Sequence, residues 1–329
     1  MSDHIPFEIQ SEIMKGLPVK SLLQFRSVSK QWKSFIDNPE FIKTYHINHP
    51  NPKHHLLLQY NHVPTYTSII DDNTFPQQKS PLTAPKPLNL LRFALILGSV
   101  NVLGNVLVLL SLIGFGVCYD TSDPKLVKIN VVKTPSISWE VQVFTLSSRV
   151  WKTVYKGAPF KSCDLMRDHV FIDGIIYWRS LGSFILSFDL KSDKFGEVSI
   201  PESFVHTYGM WLAKVNESLG LLEFYEEGGM PVCGVWMRKD GVNKPFTKIY
   251  TVKVEGKSVL NTSVLGFRNN GEVVLQLDND DFEESQIEVY EPSSGRINSV
   301  GISGENDMFS VWSYMETLLL LEQSNSIIH

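Results

Sequence analysis

The chain has 329 residues, and its 30 Lys and Arg against 35 Asp and Glu give a formal charge of −5, which excludes the broad cationic surface that a phosphate backbone selects and with it nucleic acid as an expected partner. Apolar residues make up 43% and aromatics 11%, an ordinary globular composition able to fill a core. Three cysteines, Cys118, Cys163 and Cys233, lack the close pairings of a zinc site or disulfide scaffold, and the opening MSDHIPFEIQSEIMKG lacks the basic end and apolar centre of a secretory leader, so a cytoplasmic or nuclear setting is expected.

The first elements in chain order are short helices. Ile5, Ile9 and Ile13 recur every four residues, which stacks them on one helical stripe, and Gly16 is a suitable stop. Pro18 fits the first position of a second helix, with Val19, Leu22, Leu23 and Arg26 following at helical spacing. Ser29 caps a third, whose Trp32, Phe35 and Ile36 share a face, and Asn38-Pro39 ends it. About 40 residues rarely bury enough surface to fold alone, so these apolar residues need a partner, either the rest of the chain or another protein. Within residues 1–45 six basic residues face five acidic ones, too small an excess for a helix pair that reads DNA.

Past Pro39 the texture changes to alternation. HHLLLQY (54–60), VQVFTL (141–146), DGIIYW (173–178), ILSFDL (185–190), KIYTVKV (248–254), EVVLQL (272–277) and IEVYEP (287–292) are short runs of β-branched and aromatic residues between turn-forming clusters. In three of them an aromatic is followed seven residues later by a large apolar residue: Phe144 and Trp151, Phe188 and Phe195, Tyr290 and Ile297. That spacing implies strand, turn and return strand. A repeat on the scale of about 45 to 50 residues is that of propeller blades, of which the chain has room for five or six.

The residues of IPFEIQSEIMKGLPVKSLLQFRSVSKQWKSFIDNPEF resemble an F-box almost element by element. Ile5 stands where Leu is commoner, and Ser27 where Cys is frequent. The resemblance implies docking on the Skp adaptor of a Skp/cullin/F-box ubiquitin ligase, with Ile5, Pro6, Ile9, Ile13, Leu17, Pro18, Val19, Leu22, Leu23, Val28 and Trp32 as the contact residues. GFGVCYDTSDPKLVKI (114–129), VQVFTLSSRVWKTV (141–154), DGIIYWRS (173–180) and ILSFDLKSDKFGEVSIP (185–201) resemble segments of the F-box-associated, kelch-related domain of plant F-box proteins. The implied organisation is α+β multidomain: a helical F-box over 1–46, a linker over 47–53, and a mostly β, propeller-like domain over 54–329 that presents an unidentified target protein. No cofactor, metal or catalytic role is implied, and the receptor is expected to be non-catalytic.

One region departs from that family. Between residues 98 and 114 its usual hairpin is shortened, which predicts a blade lacking strands. The surrounding run, FALILGSVNVLGNVLVLLSLIGFGVCY (93–119), carries no charge and is long enough for a membrane span. Gly98, Gly104, Gly114 and Gly116 cut it into pieces of strand length, and buried strands are expected. A membrane-anchored receptor and a stand-alone propeller enzyme or glycan-binding module are the alternative readings. Among other residues, His46, His49, His54 and His55 lack ligand spacing and read as linker. DNDDFEES (278–285) lacks the glycine of a calcium loop and reads as a solvated acidic loop. The sequons at Asn216 and Asn261 matter only in a secreted chain. Trp139, Trp151, Trp178, Trp211, Trp236 and Trp312 are expected in the blade core.

Overall fold

Apolar residues at helical spacing do form helices, and the alternating runs do form strands. The computed structural model describes residues 5–48, 54–61, 65–82, 101–103, 106–121, 123–134, 136–157, 165–180, 184–204, 209–238, 245–254, 262–279, 281, 283–306, 308–315 and 318. They fall into two compact units, Met1–His55 with Tyr314–His329, and Leu56–Ser313.

The first unit holds α1 (Phe7–Lys15), α2 (Val19–Phe25), α3 (Lys30–Ile36) and α4 (Pro39–Asn48). Pro6 and Pro18 stand at the N-caps of α1 and α2, where a missing N–H removes no helical bond; Pro18 is thus one residue earlier than its spacing predicts. Ser29 caps α3 by accepting a hydrogen bond from the Trp32 N–H at 3.1 Å. Asn38-Pro39 ends α3 and also opens α4, because the Asn38 carbonyl side chain accepts from the Glu40 N–H at 2.8 Å. The expected linker therefore begins with the last turn of a helix, and its residues 49–53 lie outside the described residues. Met14, Val19, Leu22, Ile36, Phe41, Ile42 and Tyr45 form the core of this unit together with Leu318, which is fully buried there. The expected boundary assigned that C-terminal stretch to the β domain.

The second unit is a five-bladed β-propeller built from five sheets. Blade one pairs β1 (His54–Tyr60), β2 (Thr65–Ile70) and β3 (Lys79–Leu82) with β21 (Ser310–Met315) in the order β21-β1-β2-β3. Blade two is β4 (Asn101–Leu103), β5 (Val106–Val117), β6 (Pro124–Thr134), β7 (Ser136–Thr145) and β8 (Val150–Gly157). Blade three is β9 (Leu165–Ile172), β10 (Ile175–Ser180), β11 (Phe184–Asp189) and β12 (Lys194–Ser199). Blade four is β13 (Met210–Val215), β14 (Ser218–Glu227), β15 (Met230–Arg238) and β16 (Phe246–Lys253). Blade five is β17 (Thr262–Phe267), β18 (Val273–Asp278), β19 (Glu284–Glu291) and β20 (Arg296–Glu305). Blades two to five are antiparallel meanders, and a strand from the far end of the sequence completes blade one.

The seven-residue spacing has a direct structural cause. Phe144 pairs with Trp151, Phe188 with Phe195 and Tyr290 with Ile297 as cross-strand partners. Each hairpin closes through four loop residues, and the last of them has positive φ: Arg149 at 57°, Asp193 at 54° and Gly295 at 70°. Such a residue turns the chain back in register.

Apolar seams between blades supply the core. Leu112, Val127 and Ile129 of blade two pack with Ile176, Trp178 and Leu186 of blade three. Tyr177 and Ile185 of blade three meet Leu212, Leu221 and Trp236 of blade four. Arg268 ties blade five to blade one. Its Nε bonds Asp71 Oδ1 at 2.8 Å, its Nη1 bonds Glu272, its Nη2 bonds the Asp72 carbonyl at 2.9 Å, and its guanidinium lies 4.0 Å from the Phe75 ring centre.

Several expectations change here. The blade holding the 98–114 region has five strands rather than too few, and β5 pairs with β6 from Leu107 to Val117. Gly114 and Gly116 do not interrupt β5. A Cβ at Gly114 would lie 2.5 Å from Trp178, and one at Gly116 would lie 2.4 Å from Phe171, so these glycines let blade two approach blade three. No described helix is long and apolar enough to cross a membrane, and residues 93–100, with Gly98, lie outside the described residues. Trp139, Trp178 and Trp236 are core, whereas Trp151, Trp211 and Trp312 are about half exposed. DNDDFEES is only partly solvated: Asp278 and Ser285 are buried, and the Ser285 hydroxyl donates to Asp278 at 2.6 Å while Gln276 donates to both.

Candidate docking surface

α1 is apolar on two faces. Phe7 and Met14 turn into the helical core, while Ile9 and Ile13, one turn apart, stand outward. Ile5 precedes the Pro6 cap, and its carbonyl accepts a hydrogen bond from the Gln10 side chain at 2.6 Å. Ile5, Ile9 and Ile13 are each 53% exposed. Leu23 on α2 and Val28 between α2 and α3 are also exposed, as are Pro6 and Pro18, while Leu17 and Trp32 are half-buried. Val19 and Leu22 are different. Both lie in the core of this unit, so their part in any docking is to hold α2 in place rather than to touch a partner.

Polar bonds that spacing alone does not suggest hold the surface in shape. Arg26 grips Asp37 through two bonds, Nε to Oδ1 at 2.5 Å and Nη2 to Oδ2 at 2.9 Å, and this locks the end of α2 to the end of α3. The Asp37 side chain is almost fully buried, where an unpaired carboxylate would be costly. Trp32 Nε1 donates to Gln10 at 2.7 Å, and its ring lies tilted by 53° against Phe25 with centres 5.0 Å apart. The Tyr45 hydroxyl donates to the Leu17 carbonyl at 2.6 Å, which ties α4 to the Leu17-Pro18 corner. These partners stand 7 to 28 residues apart in sequence, and no local pattern reveals them.

The propeller offers polar concavities of its own. A cleft of about 450 Å³ is lined by Tyr119, Asp120, Asp173, Ile175, Asp189 and Lys191. Three of its charged side chains, Asp120, Asp189 and Lys191, are engaged. Lys191 bonds Asp120 at 2.5 Å, which holds the lysine above its ordinary range, and Asp189 accepts from the Lys191 N–H at 2.7 Å. Among the described residues no group of three or more His, Cys, Asp or Glu is arranged to hold a metal ion. His55 stacks on Tyr314 at 5.0 Å, and His54 lies in β1. The side chain of His46 and the whole of His49 lie outside the described residues.

Comparison with known proteins agrees with both units. The F-box domain model matches residues 2–44, and the F-box associated beta propeller domain model matches residues 116–324. An F-box protein of Arabidopsis thaliana is 24% identical over 354 residues, covering 93% of this chain and 88% of its own length. A second from the same plant is 50% identical over 44 residues, 13% of this chain and 11% of that one. The propeller model alone covers well over half of the sequence, and the helical module before it is matched separately: the chain belongs to the plant F-box proteins that carry an F-box associated β-propeller domain.

Proposed function

We propose that the chain is a non-catalytic substrate receptor of a Skp/cullin/F-box ubiquitin ligase. The observation that carries this reading is the exposure of Ile5, Ile9 and Ile13 on a helical unit whose own core is already filled. Apolar residues left outside a complete core mark a surface awaiting a protein partner. The Skp adaptor is that partner, with Leu23, Val28, Pro6, Pro18 and the half-buried Leu17 and Trp32 extending the contact. The adaptor links the chain to cullin.

The propeller holds the protein to be modified beside a charged ubiquitin-conjugating enzyme. Tethering raises the effective concentration of a target lysine near the ubiquitin thioester, and the bond-forming chemistry belongs to the conjugating enzyme. The setting is the cytoplasm or nucleus. The test is co-purification of the intact chain with the Skp adaptor and cullin, followed by reconstituted ubiquitin transfer. Adaptor capture is expected; a folded chain that fails to retain the adaptor defeats the reading.

A further inference from the structure

The cleft where blade two meets blade three is walled by loops that the sequence makes rigid. β9 and β10 are joined by Asp173-Gly174 alone, both at positive φ, 47° and 79°, the two-residue hairpin turn that favours Asp-Gly and Asn-Gly. The Gly174 carbonyl accepts from the Leu190 N–H at 3.0 Å, which fixes this turn to the chain just past β11. On the blade-two side Tyr119 and Asp120 follow β5, and a Cβ at Gly174 would stand only 3.6 Å from the Tyr119 Cβ. Lys125 of β6 crosses to the same chain end, bonding the Leu190 carbonyl at 2.5 Å and Asp193 at 3.3 Å. The cleft is therefore preformed, and its volume of about 450 Å³ falls within the roughly 300–1,000 Å³ of sites that enclose a small group.

Two groups of the cleft have no use within the chain. Tyr119 is 82% exposed, more than any other large hydrophobic side chain among the described residues. Asp173 is exposed as well, and among the described residues no hydrogen bond or ion pair engages its carboxylate. The turn accounts for a small polar residue at this position, but Asn would serve it equally, so the charge itself is unexplained by the fold. The other acids differ. Asp120 is bonded by Lys191, and Asp189 Oδ1 accepts the N–H groups of Lys191 and Ser192 at 2.7 and 3.3 Å. Three carboxylates beside one ammonium leave the cleft negative, a field that favours a cation. A guanidinium suits the two unused groups better than an ammonium does, because its flat face stacks on a phenol ring while its edge forks onto a carboxylate.

We infer that Tyr119 and Asp173 form a recognition site for an arginine side chain of the target protein. The guanidinium lies on the Tyr119 ring and forks onto the Asp173 carboxylate, and Asp189 adds to the attracting field. Both contact groups face solvent, so an arginine on another protein's surface reaches them without any opening of the propeller. This inference rests on the receptor reading and adds the chemistry of what the receptor selects.

The experiment titrates the full chain against a fluorescein-labelled peptide of alternating arginine and glycine, followed by anisotropy at about 0.15 M salt, with lysine and glutamine peptides of the same length as comparison arms. The arginine peptide should bind, the lysine peptide more weakly, and the glutamine peptide not at all. Asp173→Asn and Tyr119→Ala should each weaken arginine-peptide binding by about three- to tenfold. The first keeps a residue suited to the turn and the second alters an exposed side chain, so both should melt like the wild type; if one fails to fold, the other carries the test. Glu202→Gln removes an exposed carboxylate outside the cleft and should leave binding unchanged. Absence of arginine-peptide binding, unchanged binding in a folded cleft variant, equal weakening by Glu202→Gln, or a lysine or glutamine peptide bound as tightly as the arginine peptide would each overturn the inference. Adaptor co-purification is read on the same preparations. A wild type that retains the adaptor but not the peptide sinks this site alone, whereas loss of the adaptor sinks the receptor reading.

Discussion

Replacing Ile9 and Ile13 together by Ala separates docking from folding. Each side chain is 53% exposed, so of roughly 180 Å² per isoleucine about 95 Å² remains to be covered by a partner, worth about 2.4 kcal/mol if fully buried. Truncation to Ala removes roughly two thirds of that, about 1.5 kcal/mol per residue and about 3 kcal/mol for the pair, or roughly 100-fold in adaptor affinity. The matched control is Leu22→Ala. Leu22 is fully enclosed in the helical core, and its truncation should cost about 2 to 5 kcal/mol of stability. Calorimetric titration of the full chain with the Skp adaptor, beside thermal unfolding, tells the two effects apart. The isoleucine pair should weaken binding with little loss of melting temperature, whereas Leu22→Ala should lower both. Altering Leu17 and Pro18 would be less clean, because the Leu17 carbonyl receives the Tyr45 hydroxyl and Pro18 caps α2. If the isoleucine variant stays folded and binds the adaptor as tightly as the wild type, the exposed α1 face is not the docking surface.

Gly114→Ala should destabilise the propeller by about 1 to 3 kcal/mol through overpacking, because the added Cβ lies 2.5 Å from Trp178 and 2.9 Å from Ile176; an unchanged denaturation midpoint would remove the close-approach role of that glycine. Burial pushes the Cys233 thiol up to about 12, so at pH 8 only about one molecule in ten thousand carries the thiolate. Iodoacetamide should therefore leave Cys233 unmodified until the chain is unfolded, and peptide mass spectrometry after brief native labelling checks this. A chain beginning near Pro52 retains β1 and the remaining propeller strands and should capture the target without promoting its ubiquitination; faster target loss in cells expressing it would contradict the scaffold mechanism.

The fold was legible where a pattern is local. Phe144, Phe188 and Tyr290 announce their hairpins because each strand partner stands seven residues on, and the change from helical to alternating texture separates the two units. Periodicity could not say which side of α1 or α2 faces inward, since Phe7 and Met14 compete with Ile9 and Ile13, and Val19 and Leu22 with Leu23. Only packing decides between two apolar faces. As a sequence signal Asn38-Pro39 marks a stop, although one pair can close a helix and open the next. Three of six tryptophans proved half exposed because a tryptophan on a strand takes whichever side the register assigns it.

The pairing of β21 with β1 joins residues roughly 250 positions apart. Closing so long a loop costs about 4 kcal/mol more in chain entropy than closing a four-residue hairpin loop. The helical unit shares this dependence, because Leu318 belongs to its core. During synthesis, blades two to five can each form from contiguous chain, whereas the ring and the helical core both wait for residues 310–318 to leave the ribosome. A chain arrested before Ser310 should therefore be cut readily by protease in β1 and β2 yet protected in blade three, and equal protection of both would show that closure is not the late step. For the substrate receptor proposed above, such an order would keep an unfinished copy from engaging the ligase before its propeller is whole.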